Sequence, residues 1–498
     1  MAMKMLGNID TWLALWLASY MCNTLAVSHT PCSGVFLHTC MWVALYMVLR
    51  SLPIEHIGKR HWAYLCACLG LWQTGMGVGQ LLGVCDSGHY LYAVTGSFFN
   101  PAPYGAFIAV MSVVVIAVYK EQNERALGIA AIVMVVMLPA SWSRAALTAF
   151  ALCLGILYRK WVRRHWLQVS ICTLVVMLVL YLIKRGSADS RILMMWVSLK
   201  AWMENLWTGV GAGGYLNALG EGMAAYFTRH PASVFISSVG VASLPFNEPL
   251  RIAVEQGLAG LLPLVMATLL AARRLWLAGS PLFYALLALL VFSLFSYPFT
   301  LPAFCAVLTV IMAYASSLGQ QGLSRPTRVG TFIAAILTGV FAYNQLSPRL
   351  EAEKEYDRFS HISEKAFIRS YYDLFPFMND NPQFLFRFGS LLRDCGRHND
   401  SNAMFRQGAS LSADPMFHIL MGRNYEDMRE YAKADSLYEH AFRRIPNRIY
   451  PLYRQMKLYE HMGDSIRMQA KANAIAGFVE KVESPATRSM KQEAKEKL

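Results

Sequence analysis

Residues 184–260 read KRGSADSRILMMWVSLKAWMENLWTGVGAGGYLNALGEGMAAYFTRHPASVFISSVGVASLPFNEPLRIAVEQGLAG and form the one long polar interruption in the first 345 residues. A charged side chain at the centre of a membrane span costs roughly 2.5–3.5 kcal/mol on insertion scales, so a charged cluster at span ends marks a candidate functional site. The alternative is a surface loop whose charges are simply solvated. The ionisable side chains that define the candidate are Arg191, Arg229, His230, Glu248, Arg251 and Glu255.

Composition indicates a membrane protein. Of the 498 residues, 55% are hydrophobic and only 15% are charged, whereas a soluble domain has about 25% charged residues. A helix that crosses a bilayer needs about 20 mostly apolar residues. We therefore predict an all-α, polytopic membrane domain over residues 1–345, with about eleven spans at 11–28, 33–49, 62–83, 102–119, 126–142, 145–158, 167–183, 252–271, 281–296, 299–317 and 329–345.

The loops between these spans alternate in charge. One set carries nearly all of the Lys and Arg residues, as in Arg159, Lys160, Arg163 and Arg164, while the opposite short loops have almost none apart from Arg144. The positive-inside rule then places the N-terminus in the cytoplasm. The loop 184–251 and everything after residue 346 are predicted to lie outside.

Charge and cysteine usage exclude two other classes. Residues 1–345 contain 21 Lys and Arg against 10 Asp and Glu, so the basic excess belongs to the membrane part and does not indicate nucleic-acid binding. The ten cysteines show no CxxC pair and no zinc spacing, so no metal site is predicted. Cys32 and Cys85 both fall on the predicted outer side, where a disulfide is conceivable.

Two external loops present polar residues beside predicted spans. In GSFFNPAPYGAF, Asn100 and Pro101 are turn residues and Pro103 opens a span, so the segment is either only a tight re-entry into the membrane or also presents Asn100 towards the outer face. In SWSRAAL, Arg144 lies at the external end of two spans, where positive charge is otherwise avoided. Simple snorkelling to the interface is the alternative for Arg144.

The polar stretch itself divides into three parts. Residues 191–207 are predicted to form an amphipathic helix lying on the outer surface, with its tryptophans at the interface. GVGAGGY at 209–215 follows no strand and is therefore not a dinucleotide motif; it predicts a turn where backbone approaches backbone or a ligand. In NEPLRIAVEQG, Asn247 or Glu248 can cap a helix whose face carries Glu248, Arg251 and Glu255, as either an ion network or a reacting centre.

The remainder is polar and helical in pattern. Within 415–448, Gly422, Tyr425, Ala434, Tyr438, Ala441 and Pro446 stand at the tetratricopeptide spacing. We predict a linker at 346–380, a tetratricopeptide-like helical repeat domain at 381–480 that binds a protein partner, and a charged tail at 481–498. An unrelated helical bundle is the alternative.

The ordered motifs resemble the O-antigen ligase family of bacterial membrane glycosyltransferases. The matches are GSFFNPAPYGAF, SWSRAAL, SRILMMW leading to TGVGAGGY, and NEPLRIAVEQGLAGLL, which cover most of residues 90–265. The resemblance implies metal-independent transfer, without a cofactor, of a glycan from a polyprenyl (undecaprenyl) diphosphate to a lipid or protein hydroxyl at the outer face of the inner membrane. It also implies that Arg144 and Arg191 hold the diphosphate, which suits a bidentate guanidinium.

One position departs from the family pattern. The family commonly has His before the Asn of the last motif, where this chain has Phe246. We therefore predict Glu248 as the group that accepts the hydroxyl proton, oriented by Arg251, with His230 as the rival and helix capping as the structural alternative. The remaining predicted substrate contacts are Asn100, Tyr104 and Asn247. Ligase, glycan polymerase and protein O-oligosaccharyltransferase share these motifs, and a transporter or flippase and a membrane scaffold are the alternatives from other classes.

Overall fold

A computed structural model describes residues 8–27, 33–183, 185–318, 324–360, 365–479 and 483–498. These residues form helices joined by turns and by longer loops such as 82–100 and 230–247, and no strand occurs among them, which confirms the all-α prediction. Cys32 lies outside the described residues, so the possible pairing with Cys85 stays a prediction. The helices of the N-terminal part, α1 to α14 in chain order, are Ile9–Ala26, Gly34–Ser51, Lys59–Leu81, Pro101–Gln122, Arg125–Val136, Arg144–Leu157, Arg159–Arg164, Trp166–Ile183, Arg185–Glu204, Tyr215–Arg229, Glu248–Leu277, Leu282–Ser293, Pro302–Ser317 and Arg325–Phe359.

Each of the eleven stretches predicted to span a membrane coincides with a helix. Within the part of the chain that the structure describes, four helices are long and apolar enough to cross a membrane by length and composition: α2, α4, α11 and α14. Four more apolar helices are shorter, in the regions of α5, α6, α12 and α13.

Helix α4 is the centre of the N-terminal part. Its sequence is apolar all round, so it has no polar face to present to solvent. It packs against α3, α5, α6 and α12. At its start, Gly105 lies so close to the Ser141 side chain that a Cβ there would stand 2.3 Å from Ser141 Oγ. This contact places the SWSRAAL segment directly beside the GSFFNPAPYGAF segment.

Helix α14 continues well past the predicted end of the membrane domain. It runs without interruption from Arg325 to Phe359, with Pro348 inside it. Its last turns bury Ala352, Tyr356 and Phe359 against the helix α15, Ile368–Met378. Within the predicted linker 346–380, the described residues up to Phe359 and in α15 are therefore helical, and several of them share a hydrophobic core.

The C-terminal part is built from consecutive packed helices. At three successive contacts an aromatic ring fills the space left by a glycine: Phe405 at Gly389, Phe417 at Gly408 and Tyr438 at Gly422. A side chain on any of these glycines would overlap the ring, which explains the small residues. The helices, α16 to α22, are Pro382–Asp394, His398–Ser410, Met416–Asp427, Tyr431–Arg444, Tyr450–Met462, Ser465–Ala476 and Pro485–Glu496.

The charged tail also folds into a helix. Helix α22 begins with a capping box at Ser484 and Thr487, which satisfies backbone N–H groups that have no partner within the helix. Ala494 is fully buried, and Glu493 accepts hydrogen bonds from Tyr453 at 2.7 Å and Lys457 at 2.7 Å. The tail therefore closes the last helix pair.

Helix α19 joins the C-terminal part to the long polar stretch by packing against α10. Arg444, only 1% exposed, donates from Nη2 to Asn217 Oδ1 at 2.8 Å and to Glu221 Oε1 at 2.6 Å. Asn447 Nδ2 donates to the Ile236 and Val239 carbonyls at 2.7 and 2.8 Å. Residues that are more than 200 positions apart in the chain thus share one interface.

Candidate functional site

The site is organised by a break in helix α11. Asn247 caps its N-terminus, where Oδ1 accepts from the Leu250 N–H at 2.9 Å, and Pro249 occupies the first turn. At Gly257 the backbone adopts φ 61° and ψ −162°, a conformation open essentially to glycine alone. The helix direction changes there, directly after the charged stripe.

The glycine-rich segment after α9 fills the break. A Cβ on Gly209 would lie 2.4 Å from the Glu255 carbonyl carbon, so only glycine permits this approach. The glycine-rich segment was predicted to form a turn where backbone approaches backbone or a ligand, and in the structure it approaches the backbone of α11. The two segments exchange hydrogen bonds through the backbone groups that the break releases: Val210 N–H to Val254 O at 2.8 Å, Gly211 N–H to Glu255 O at 3.0 Å, Leu258 N–H to Leu206 O at 2.8 Å and Ala259 N–H to Trp207 O at 3.1 Å.

Asn23 on α1 completes this junction. Its Nδ2 donates to the Thr208 carbonyl at 2.6 Å and to the Glu255 carbonyl at 3.1 Å. Its Oδ1 accepts from the Ala212 N–H at 2.9 Å. One buried amide therefore satisfies three backbone groups, and sequence analysis missed it because a single Asn in an apolar span carries no local signal of a partner 185 residues away.

The charged stripe predicted on α11 is a closed ion network formed by Glu248, Arg251 and Glu255. Arg251 Nε donates to Glu248 Oε2 at 2.7 Å, and Arg251 Nη1 donates to Glu255 Oε2 at 3.0 Å. Glu248 is fully buried, and its Oε1 accepts the Phe299 N–H at 3.2 Å. Asn247, and not Glu248, caps the helix. Because both carboxylate oxygens of Glu248 are engaged, these contacts favour a structural ion network for Glu248 over a role as proton acceptor.

Arg191 on α9 stands at the edge of this network. Its Nη1 donates to the Phe295 carbonyl at 3.2 Å, and its guanidinium lies over the Phe246 ring at 4.7 Å. Burial, followed by the charge of Arg144, lowers the pKa of Arg191. Arg144 is therefore near enough for its charge to act on the Arg191 guanidinium.

Arg144 is the first residue of α6. Ser143 caps the helix by accepting the Ala146 N–H at 3.2 Å. The preceding Trp142 is 67% exposed and adopts φ 47°, which is uncommon for a bulky side chain. The turn thus presents an exposed indole next to a cation at a helix N-terminus, an arrangement that favours anionic groups.

A small cavity of about 30 Å³ lies beside Arg191, a volume that fits about one water molecule. Its lining residues are Arg191, Met194, Met195, Tyr215, Phe246, Asn247, Leu250, Leu294 and Phe295. Of the predicted substrate contacts, it includes Asn247, next to Arg191.

Asn100 and Tyr104 have separate surroundings. Asn100 caps α4, where Oδ1 accepts the Ala102 N–H at 3.1 Å. Its neighbour Phe99 stacks on Tyr297 at 6.2 Å, and Tyr297 contacts Phe246 edge-on at 5.8 Å. Tyr104 is fully buried below, and its hydroxyl has no hydrogen-bond partner among the described residues.

His230 is the predicted residue that the structure keeps apart from this group. It is exposed at the end of α10, and its ring packs against Tyr226 of the same helix at 4.9 Å. In the part of the chain that the structure describes, no hydrogen bond or ring contact joins it to Arg191 or Glu248.

The loop between α12 and α13 was predicted only as a boundary between two spans, and its contacts with the site residues were not predicted. Tyr297 and Phe299 connect the Asn100 loop, Phe246 and Glu248, yet both fall at the boundary of two predicted spans. Pro298 and Pro302, in SYPFTLP, are the signal that would have placed a turn there.

No known family model matches the chain, and no curated protein matches it significantly in sequence. Arg191 and Arg144, the latter at a helix N-terminus, are groups that bind anions, and guanidinium groups do so without a metal ion.

Proposed function

We propose that this protein is a membrane glycosyltransferase of the O-antigen ligase type. It would move a glycan from a polyprenyl diphosphate carrier to an acceptor hydroxyl. The observation that carries the proposal is that Arg144 and Arg191, from two motifs of the resemblance, lie within electrostatic reach of each other: the Arg144 charge, second to burial, contributes to the lowered pKa of Arg191. A site that holds two permanently charged guanidinium groups near each other is suited to a diphosphate, which can accept hydrogen bonds from both.

The arginines would act on the leaving group. When the bond between sugar and diphosphate breaks, negative charge develops on the diphosphate oxygens. Fixed guanidinium donors stabilise that charge and need no reorganisation at the moment of reaction, which is the main electrostatic contribution in many enzymes. Phe246, stacked on Arg191, holds this guanidinium in place.

The proposed function also implies the number of membrane spans, their orientation and the nature of the C-terminal helices. We infer about eleven spans in the bacterial inner membrane, a cytoplasmic N-terminus, and an external loop 184–251 that carries the site. The C-terminal helices would be tetratricopeptide-like repeats on the same outer side. The glycine–aromatic contacts at Gly389, Gly408 and Gly422 support the repeat interpretation, because tetratricopeptide helices pack through small residues against large ones.

The acceptor hydroxyl needs a group that aligns it or accepts its proton. Glu248 has both oxygens bonded, so its contacts support a role in holding the Phe299 loop against the site. His230 remains the ionisable candidate that is open to solvent, and it would reach the site through movement of the loop.

A transporter or flippase is the candidate from another class, and the break at Gly257 is the feature that favours it. Transporters use broken helices whose released backbone groups bind substrate or ions. Here the released groups at the break are paired with residues 206–211 of the same chain. The break therefore supports a rigid junction rather than an ion site. A membrane scaffold would need no such junction.

Purified protein tests the proposal directly. Incubation with a glycan-loaded polyprenyl diphosphate and an acceptor should release polyprenyl diphosphate and produce a glycosylated acceptor. Deletion of the gene followed by glycan analysis then separates the relatives. Glycan lost from lipopolysaccharide indicates a ligase, glycan lost from proteins indicates an O-oligosaccharyltransferase, and shortened chains indicate a polymerase. Unchanged glycans in all three pools would contradict the proposal.

A further inference from the structure

Two histidines and a glutamate from distant parts of the chain meet where α19 packs on α10. The potential ligand atoms of Glu221, His418 and His440 all lie within 4.8 Å of one another. His440 Nε2 stands 3.3 Å from Glu221 Oε1, and the rings of His418 and His440 lie 4.7 Å apart between centroids. These three side chains come from helices α10, α18 and α19, on both sides of the interface.

His418 is the member that packing alone leaves unexplained. Its side chain is 8% exposed, and its Nδ1 has no hydrogen-bond partner among the described residues. A buried polar atom without a partner destabilises the fold, because it has lost its hydrogen bonds to water. Burial, followed by the Arg444 charge, lowers the pKa of His418 to about 3. The ring is therefore neutral near pH 7, which is the form of imidazole that binds metal ions.

We propose that Glu221, His418 and His440 bind one zinc ion, which ties the C-terminal helices to α10. Two imidazoles and one carboxylate, with water in the fourth position, form an established type of zinc ligand set. Tetrahedral bonds of about 2.0–2.1 Å put ligand atoms roughly 3.3–3.4 Å apart. The His440–Glu221 separation already matches, and the other pairs need to close by at most about 1.5 Å.

Arg444 opposes the ion and has to be accommodated. Its Nη2 lies 2.6 Å from Glu221 Oε1, and a positive charge so close to a cation weakens binding. Arg444 also donates to Asn217 Oδ1 at 2.8 Å and to the Ser412 carbonyl at 3.4 Å, so it stays anchored when zinc takes one oxygen of Glu221. The second carboxylate oxygen can then accept from Arg444, as hydrogen-bonded carboxylate ligands commonly do.

The test uses the full-length protein, purified in detergent and stripped of metal with a chelator. After equilibration with zinc chloride and desalting, wild type should retain one zinc ion per chain by elemental analysis. His440→Ala and Glu221→Gln should bind zinc roughly tenfold or more weakly. His461→Ala is the matched control, because His461 Nδ1 lies 3.1 Å from Glu426 Oε1 without a second histidine in that pair, and this variant should bind zinc like wild type.

Two further measurements guard against a folding defect. Zinc should raise the melting temperature of wild type and of His461→Ala but not that of His440→Ala, since a ligand stabilises only the fold that binds it. Cobalt in place of zinc should give the strong visible absorption of a tetrahedral ion. Wild type without bound zinc, His440→Ala with wild-type affinity, or a weak six-coordinate cobalt spectrum would each overturn the proposal.

Discussion

Arg144 and Arg191 are the residues on which the proposed chemistry depends most. Arg144→Ala and Arg191→Ala should each lower turnover on the order of 10²–10³-fold, with little change in expression. Arg→Lys should restore little activity, because an ammonium group cannot reproduce a bidentate fork. The measurement is turnover of the purified protein with a lipid-linked donor, and Arg467→Ala, at an exposed position on α21, is the control expected to retain activity. An alanine variant with wild-type turnover would remove that residue from the site.

Substitutions of Glu248 and His230 are expected to have opposite effects on thermal stability. Glu248→Gln places an amide where the carboxylate accepts from both Arg251 and the Phe299 N–H, so one donor will face another. Breaking a buried ion pair costs about 3–5 kcal/mol. We therefore expect the Glu248→Gln variant to have a lower melting temperature and a lower activity than wild type. His230→Ala, at an exposed position, should keep its melting temperature.

Activity measured beside melting temperature decides between the two roles. If Glu248→Gln keeps the wild-type melting temperature but loses turnover on the order of 10²–10⁴-fold, Glu248 is the proton acceptor after all. If His230→Ala loses turnover and shifts the pH profile, the role belongs to His230.

At the scale of elements, the break in α11 gives a prediction about stability. Gly257→Ala forces a methyl group into a backbone conformation that costs about 1–3 kcal/mol, and its Cβ would stand 2.3 Å from the Trp207 carbonyl carbon. We expect a large fall in thermal stability in detergent. Gly83→Ala is the matched control, because Gly83 also has positive φ but has open space around it. Equal losses in the two variants would show that strain alone, and not the junction with residues 206–211, sets the cost.

Local sequence signals predicted the elements better than their junctions. Apolar runs predicted the helices, and Asn247 and Pro249 predicted the start of α11. The break at Gly257 was not predicted, because Gly257 lies in a continuous helical pattern and its conformation depends on residues 206–211. The remainder of the chain was predicted to be helical, but the packing of its first turns was not predicted, since Tyr356 and Phe359 show their purpose only against α15.

For the site, the sequence predicted Arg144 and Arg191 as candidates but did not predict which residues surround them. Arg144 was notable as a lone positive residue on the predicted outer side, and Arg191 was notable at the start of the polar stretch. Tyr297 and Phe299 carry no charge and lie between apolar runs, so only the folded chain reveals that they join Phe246 to Glu248. Long-range pairing of this kind leaves no periodicity to read.

At the scale of the whole molecule, the proposed topology can be tested by labelling. In a cysteine-reduced background, a cysteine replacing the exposed Ser410 should react with a membrane-impermeant maleimide from outside the cell. A cysteine replacing the exposed Lys160 should react only after the membrane is opened, because the Lys/Arg asymmetry puts that loop inside. The reverse pattern would contradict the proposed location of the site and, with it, transfer at the outer face.

Helix α14 has a mechanical consequence for whatever the C-terminal helices hold. Its 35 residues make a rod about 52 Å long at 1.5 Å per residue, and a bilayer core uses about 30 Å of that length. The remaining turns are clamped to α15 through Ala352, Tyr356 and Phe359. A continuous helix does not rotate freely between its two ends, so a molecule bound to the C-terminal helices would stay at a fixed distance from the bilayer. Pro348 is the position at which the helix can bend.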